Sequence, residues 1–109
     1  MPLPDEEIVA IYVVFGSREE AERIGREMVE QQRAACVNIL GPCRSIYRWQ
    51  GAVEEAEEVA AIFKTALPRA ESLIAAIRAA HSYDVPAIVQ LPIAAASPAY
   101  REWVIAQTH

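Results

Sequence analysis

The chain reads as an α/β (α+β) domain in which strand–helix–strand units share one sheet, and three observations predict it. A continuous apolar run of strand length, Glu7 to Phe15, passes directly into a capped helical stretch. A second helical stripe follows Pro68 and is itself followed by a short apolar strand. Between them, Ser45 to Gln50 (SIYRWQ) alternates and is rich in aromatic and β-branched residues, which favours a strand. At 109 residues the chain is expected to be a single domain over 1–109, long enough for one core and too short for two.

The elements follow in order. Ser17 is an N-cap with Glu20 three residues on, a capping box, and Glu19, Glu20 and Glu22 sit at the positive end of the helix dipole. Ala21, Ile24, Gly25, Met28 and Val29 fall on one stripe of that helix, and Gln31 to Arg33 closes it. Ala34 to Leu40 reads as the second strand; Gly41-Pro42 marks a bend or bulge, after which Arg44 to Gln50 extends it. Pro68 suits the first turn of the next helix, with Ala70, Leu73, Ile74, Ile77 and Ala80 as its buried stripe. Val85-Pro86 is a break, and Ala87 to Ile93 is a strand whose Pro92 belongs at its end or on an unpaired edge. Ser97-Pro98 opens a last helix reaching about Gln107.

The segment 53–65 is contested. Ala and Glu dominate it, which favours a helix. Yet it follows a strand through the single Gly51, lacks an N-cap residue, and turns β-rich at Val59, Ile62 and Phe63. A long hairpin explains the Gly and the missing cap; a strand-to-helix unit explains the composition.

Composition excludes several function classes. Fifteen acidic against ten basic residues give a net charge of −5 with no basic cluster, which speaks against a nucleic-acid partner. MPLPDEE has no cationic and apolar signal pattern, and no apolar run reaches membrane-spanning length, so no membrane partner is expected. Two cysteines, Cys36 and Cys43, are too few for a disulfide scaffold, and a reducing cytoplasm is the expected compartment. There is no nucleophile beside a second histidine, no phosphate loop, and neither HExxH nor CxxC. No enzyme is expected.

AACVNI at 34–39, SIYRWQG at 45–51, EEVAAIFKT at 57–65, HSYDVP at 81–86, LPI at 91–93, Tyr100 and Trp103 together resemble the CutA family of divalent-cation tolerance proteins. The matches run in order over about two-thirds of the chain. The resemblance implies a ferredoxin-like βαββαβ fold with a long hairpin between the second and third strands and a short C-terminal helix, so 53–65 becomes a strand. It also implies a homotrimer, a role in divalent-cation tolerance, and weak binding of copper or another divalent cation with no obligatory cofactor. Its architecture is similar to that of PII signalling trimers, which leaves a regulatory trimer binding a small anionic ligand between subunits as the alternative. A non-catalytic scaffold is the third reading, and an isomerase on the same fold the enzymatic one.

With that third strand in place, the sheet is apolar on both sides. Ile8, Ala10, Tyr12 and Val14 alternate with Val9, Ile11, Val13 and Phe15, and Val59, Ala61 and Phe63 with Ala60 and Ile62. Helices cover one side, and a ten-residue terminal helix covers only part of the other, so self-association is expected. The number three comes from the resemblance alone.

The candidate ligand cleft comprises Trp49, Glu58, Lys64, His81, Tyr83 and Asp84, at a subunit junction by the resemblance, with Cys36 and His81 as metal ligands. His81 follows the second helix, where the dipole and Asp84 favour an imidazolium; a residue capping the last helical carbonyls fits its chemistry too. The family segment usually reads His-Pro-Tyr-Glu, and here Ser82 and Asp84 replace two of its members. Cys36 suits a soft ion such as Cu(I), or a small buried side chain. Two further family cysteine positions fall at Phe15 and near Ala76, so those thiolates are absent. Alternation places Glu54 and Glu58 on one strand face with Lys64, and Glu55 with Glu57 on the other, Arg48 being a cross-strand partner for the acidic run. A lysine among apolar residues calls for a carboxylate, which pairs Lys64 with Glu58. Trp49 and Trp103 suit packing between subunits.

Overall fold

In the computed structural model, which describes residues 7–109, one four-stranded sheet organises the chain. The MPLPDE segment, which bears on the expected absence of a signal pattern, lies outside the described residues. The elements are β1 (Ile8–Phe15), α1 (Arg18–Glu30), β2 (Cys36–Trp49), β3 (Ala52–Ala66), α2 (Ala70–Ala80), β4 (Ile88–Pro92) and α3 (Pro98–Gln107), with a single 3₁₀ turn at Leu67–Arg69 that carries Pro68. The strand order is β2-β3-β1-β4, every neighbour antiparallel, which is the expected ferredoxin-like arrangement. The segment 53–65 is therefore strand throughout. Its Ala and Glu content loses to fifteen residues of ladder shared with β2 and β1, because a weak local preference yields to pairing and packing.

Register explains how the two faces differ. On β1, Val9, Ile11, Val13 and Phe15 point to the helices, and on β3 Val59, Ala61 and Phe63 join them. Ile24 and Met28 of α1 and Leu73 and Ile77 of α2 close this core. Val29, expected on the α1 stripe, is exposed at its margin. The opposite face is covered at one end only, where Val104 of α3 packs on Ile8 and Ala35. Val89 and Leu91 on the same face remain exposed, so the sheet is apolar on both sides and helix-covered on one.

The β2–β3 hairpin overshoots the rest of the sheet. β1 reaches β3 only from Val59 to Ala66, so residues 52–58 pair with β2 alone. Two residues, Gln50 and Gly51, turn the chain between Trp49 and Ala52, and both have positive φ (+50° and +83°). That pair of signs is the type I′ geometry whose twist matches a hairpin, and it requires a Gly or a tolerant residue at each centre. A bulge interrupts the ladder between Ile39 and Gly41, leaving Leu40 as the extra residue, as Gly41-Pro42 predicts. Its consequence is a change of parity. Before it, Val37 and Ile39 pair with core-facing Phe63 and Ala61; after it, Cys43, Ser45, Tyr47 and Trp49 oppose the even-numbered residues of β3 on the open face.

Buried polar groups tie the layers together. Thr65, wholly buried, donates its hydroxyl to the Arg33 carbonyl at 2.7 Å, fixing the α1–β2 turn on β3. Ser17 caps α1 by accepting from the Glu20 amide at 3.1 Å. The reciprocal half of the capping box is diverted: the Glu20 carboxylate, 7% exposed, accepts from the Ser82 amide at 2.7 Å across the domain. Burial by itself would raise the Glu20 carboxyl, but the hydrogen bonds from Ser82 and the nearby His81 imidazole hold it below its ordinary 4.5.

Two outcomes follow from these buried groups. Thr65→Val should cost about 1–2 kcal/mol in urea unfolding at fixed chain concentration, because the Arg33 carbonyl loses its buried donor. The depressed Glu20 value means that its share of stability is complete above pH 4.5 and is lost as pH falls through the lower folded-state value. Glu20→Gln should therefore lower stability at neutral pH and flatten the acid limb of a urea-midpoint series.

Candidate functional site

A groove of about 600 Å³ opens where the overshooting hairpin meets the α2–β4 loop. Tyr47, Trp49, Glu54 and Glu58 line it from the hairpin, Tyr83, Asp84 and Val85 from the loop, and Val14 lies at its floor. Register accounts for the hairpin contribution. Tyr47 is opposite Glu54 and Cys43 opposite Glu58, so the post-bulge odd residues of β2 and the even residues of β3 share this face.

The loop wall is held from behind. His81 ends α2 and is 8% exposed. The Tyr83 amide donates to its Nδ1 at 3.1 Å, so in the neutral ring Nε2 carries the proton and donates to the Val14 carbonyl at 2.8 Å. The ring also stacks on Phe15, with centroids 5.1 Å apart and planes 6° from parallel. His81 thus fastens the end of α2 to β1, and its ring takes a strand carbonyl in place of the last helical ones. Gly16 completes the fit: a Cβ there would lie 2.9 Å from the Tyr83 hydroxyl. Tyr83 comes to rest with its hydroxyl donating to Glu58 Oε2 at 2.8 Å. Burial first, then the hydrogen bond and charge of Glu58, push the Tyr83 phenol up to about 12. It is therefore the donor of this pair at neutral pH, and Glu58 the acceptor.

Of the residues singled out from sequence, Trp49, Glu58, Tyr83 and Asp84 meet in the groove. His81 stands behind it with both ring nitrogens engaged, which removes it as a ready ligand within one chain. Lys64 is elsewhere. It shares a face with Glu58, but six residues of strand separate them by roughly 20 Å, so they do not pair within a chain. The Lys64 ammonium instead donates to Asn38 Oδ1. Arg48 likewise is not the partner of the acidic run. Arg44 is, meeting Glu55 at 2.9 Å and Glu57 at 3.2 Å on the opposite face.

Cys36 lies at the Lys64 end of the sheet, with its Sγ 3.4 Å from the Tyr100 hydroxyl. Burial and then this thiol push the Tyr100 phenol up to about 12, and Trp103 stacks on the Tyr100 ring. Cys36 is opposite Lys64, which is opposite Ala10, whereas His81 is tied to Val14, four residues further along β1. That spacing of roughly 13 Å keeps the two predicted metal ligands from sharing an ion within one chain. Both cysteines are free thiols. Among the described residues no group of three His, Cys, Asp or Glu side chains is placed to hold a metal ion.

Sequence reasoning missed Glu20, Gly16 and Tyr47 as parts of this arrangement. Glu20 was read as a capping residue, and only the fold brings it to Ser82. Tyr47 carried a usable signal, since it shares parity with Trp49 two residues on. In charge, the groove sets Glu54, Glu58 and Asp84 against Arg48 alone, so within one chain it suits a cation better than an anion.

The chain is similar to known proteins along most of its length. Residues 9–107 match the family described as CutA1 divalent ion tolerance protein. A divalent-cation tolerance protein CutA from Thermus thermophilus is 43% identical over 91% of this chain and 94% of its own length. The chloroplastic protein CutA of Arabidopsis thaliana is 36% identical over 88% of this chain, which spans only 53% of the plant protein. Among solved structures, a periplasmic divalent cation tolerance protein CutA from Archaeoglobus fulgidus superposes with a TM-score of 0.90 at 35% identity, covering 94% of this chain and 99% of its own. No helix among the described residues is long and apolar enough to cross a membrane. On a shared fold, shared motifs and a match along almost its whole length, the chain belongs to the CutA1 divalent ion tolerance protein family.

Proposed function

We propose that this chain serves in divalent-cation tolerance as a homotrimer, binding copper or another divalent ion weakly in a cleft between subunits. The observation that carries the assembly is the hairpin. Residues 52–58 form a bare two-stranded ribbon with β2, bearing Ile46 at 68% exposure, Trp49 at 45% and Val53 at 63%. An isolated ribbon is marginal in water, and an apolar one next to an uncovered sheet face calls for a second copy. The number three follows the family resemblance. Assembly also answers two features of the single chain. Glu58 and Lys64 can share a cleft only if they come from different copies, and an ion that finds too few ligands in one chain can complete its shell across a junction.

In this reading Glu54, Glu58 and Asp84 offer carboxylate oxygens, Tyr83 orients Glu58, and Trp49 packs at the mouth of the cleft. Exposed carboxylates bind hard cations loosely and exchange them fast, which suits a tolerance role better than storage. Cys36 contributes a soft ligand for copper, limited to one thiolate per chain. The role is non-catalytic, and two free thiols suit a reducing cytoplasm.

Sedimentation at low micromolar concentration should give a stable species of three chains; a single-chain species overturns the assembly and the cleft with it. Calorimetric titration with Cu²⁺ and Zn²⁺ up to millimolar concentration should give saturable heat, weakened several-fold by Glu58→Gln together with Asp84→Asn. An absence of saturable heat with either ion overturns the metal role. His81→Ala should act on stability instead, since it removes the tie between α2 and β1.

A further inference from the structure

The groove is chemically richer than a metal site requires. A hard divalent ion needs several oxygens converging on one point, and the three carboxylates that line the groove within one chain are not grouped to hold one among the described residues. An anion meets those three carboxylates against one guanidinium. What remains unexplained is the convergence of three aromatic rings, Tyr47, Trp49 and Tyr83, on one acidic cavity of about 600 Å³. That size is in the range of small-molecule sites, and aromatic faces beside carboxylates are the chemistry that holds a desolvated organic cation. We propose that the groove binds an organic ammonium ion, its charge shared between the rings of Tyr47, Trp49 and Tyr83 and the carboxylates of Glu54, Glu58 and Asp84.

The Tyr83 ring is placed before any ligand arrives. Tyr83 is fixed on three sides: His81 packs against its ring with centroids 4.9 Å apart, Glu58 accepts from its hydroxyl, and the bare Cα of Gly16 leaves room for it. Tyr47 and Trp49 sit two residues apart on one strand face, so the hairpin presents them together. The fixed Tyr83 ring lowers the ordering cost on the loop side of the groove. Glu58 is already oriented by Tyr83, while Glu54 and Asp84 have no side-chain partner among the described residues and are free to neutralise the ammonium. The rings are partly open to solvent, so each contributes modestly. An alkyl chain on the ammonium would lie along Val14 and Val85.

The test is calorimetric titration of the intact protein at low ionic strength with benzyltrimethylammonium and, separately, 1,4-diaminobutane. These arms separate a quaternary from a primary ammonium. Saturable binding of either by the unaltered chain is expected, weakened roughly 2- to 5-fold by each of Trp49→Leu and Tyr47→Leu. Both positions are partly exposed, and each variant is compared at the sedimentation coefficient of the unaltered protein, so a fault in assembly at one position leaves the other to decide. No saturable binding of either ammonium, or binding that both variants leave unchanged, overturns the proposal. Zinc titration in the same samples keeps this inference apart from the metal role. Zinc heat without ammonium heat sinks the ammonium site alone, and ammonium heat without zinc heat sinks the metal site alone.

Discussion

Nearly everything in this molecule depends on a sheet that carries α1 and α2 on one side and leaves most of the other uncovered. α1 and α2 bury one face through Phe15, Phe63, Ile24 and Leu73, and α3 reaches only the Ile8 end of the other. The uncovered remainder is where the groove and the exposed Tyr47 and Trp49 lie, while Cys36 sits at the α3-covered end beside Tyr100. A second apolar face costs solubility in a lone chain, and its persistence along β1 and β3 is what the proposed assembly rests on. The sites considered above belong to that face because the opposite one is filled with core.

The bulge at Leu40 decides what the exposed face contains. Had β2 continued in register, Tyr47 and Trp49 would have pointed with Val37 and Ile39 to the helix side, beyond the reach of either helix. One extra residue turns them to the side of Glu54 and Glu58. The same shift sends Arg44 to the other face, where it pairs with Glu55 and Glu57. The Arg44–Glu55–Glu57 ion pairs and the aromatic groove, with its own Glu54 and Glu58, are thus placed on opposite faces of one ribbon by a single backbone irregularity, which is a recurrent use of bulges near functional surfaces.

The loop after α2 shows how a short segment is made rigid without secondary structure. His81 holds it to Val14, Glu20 holds it through the Ser82 amide, and Gly16 lets Tyr83 lie close to the β1–α1 junction. Val14, Gly16 and Glu20, all more than sixty residues away in sequence, converge on the three residues His81 to Tyr83. Such pinning sets the direction of the Tyr83 hydroxyl, and through it the orientation of Glu58 on the opposite wall of the groove.

The sequence by itself determined the elements that local chemistry encodes: the caps at Ser17 and Ser97, the proline-led starts at Pro68 and Pro98, the terminal position of Pro92, and the two-sided apolarity of the strands. Family resemblance was needed for 53–65, because Ala and Glu favour a helix unless a ladder holds them. Trp49, Glu58, Tyr83 and Asp84 were singled out from the sequence with the help of the family resemblance, and the structure brings these four to one groove. Only the tertiary structure decided that Lys64 and Cys36 lie at the far end of the sheet, that the His81 ring serves β1, and that Glu20 leaves its own helix for Ser82. The reason is physical. Caps and turns are fixed by contacts a few residues apart, whereas the loop after α2 is docked by contacts across more than sixty residues and the β1 register by contacts across more than forty, which no local pattern encodes.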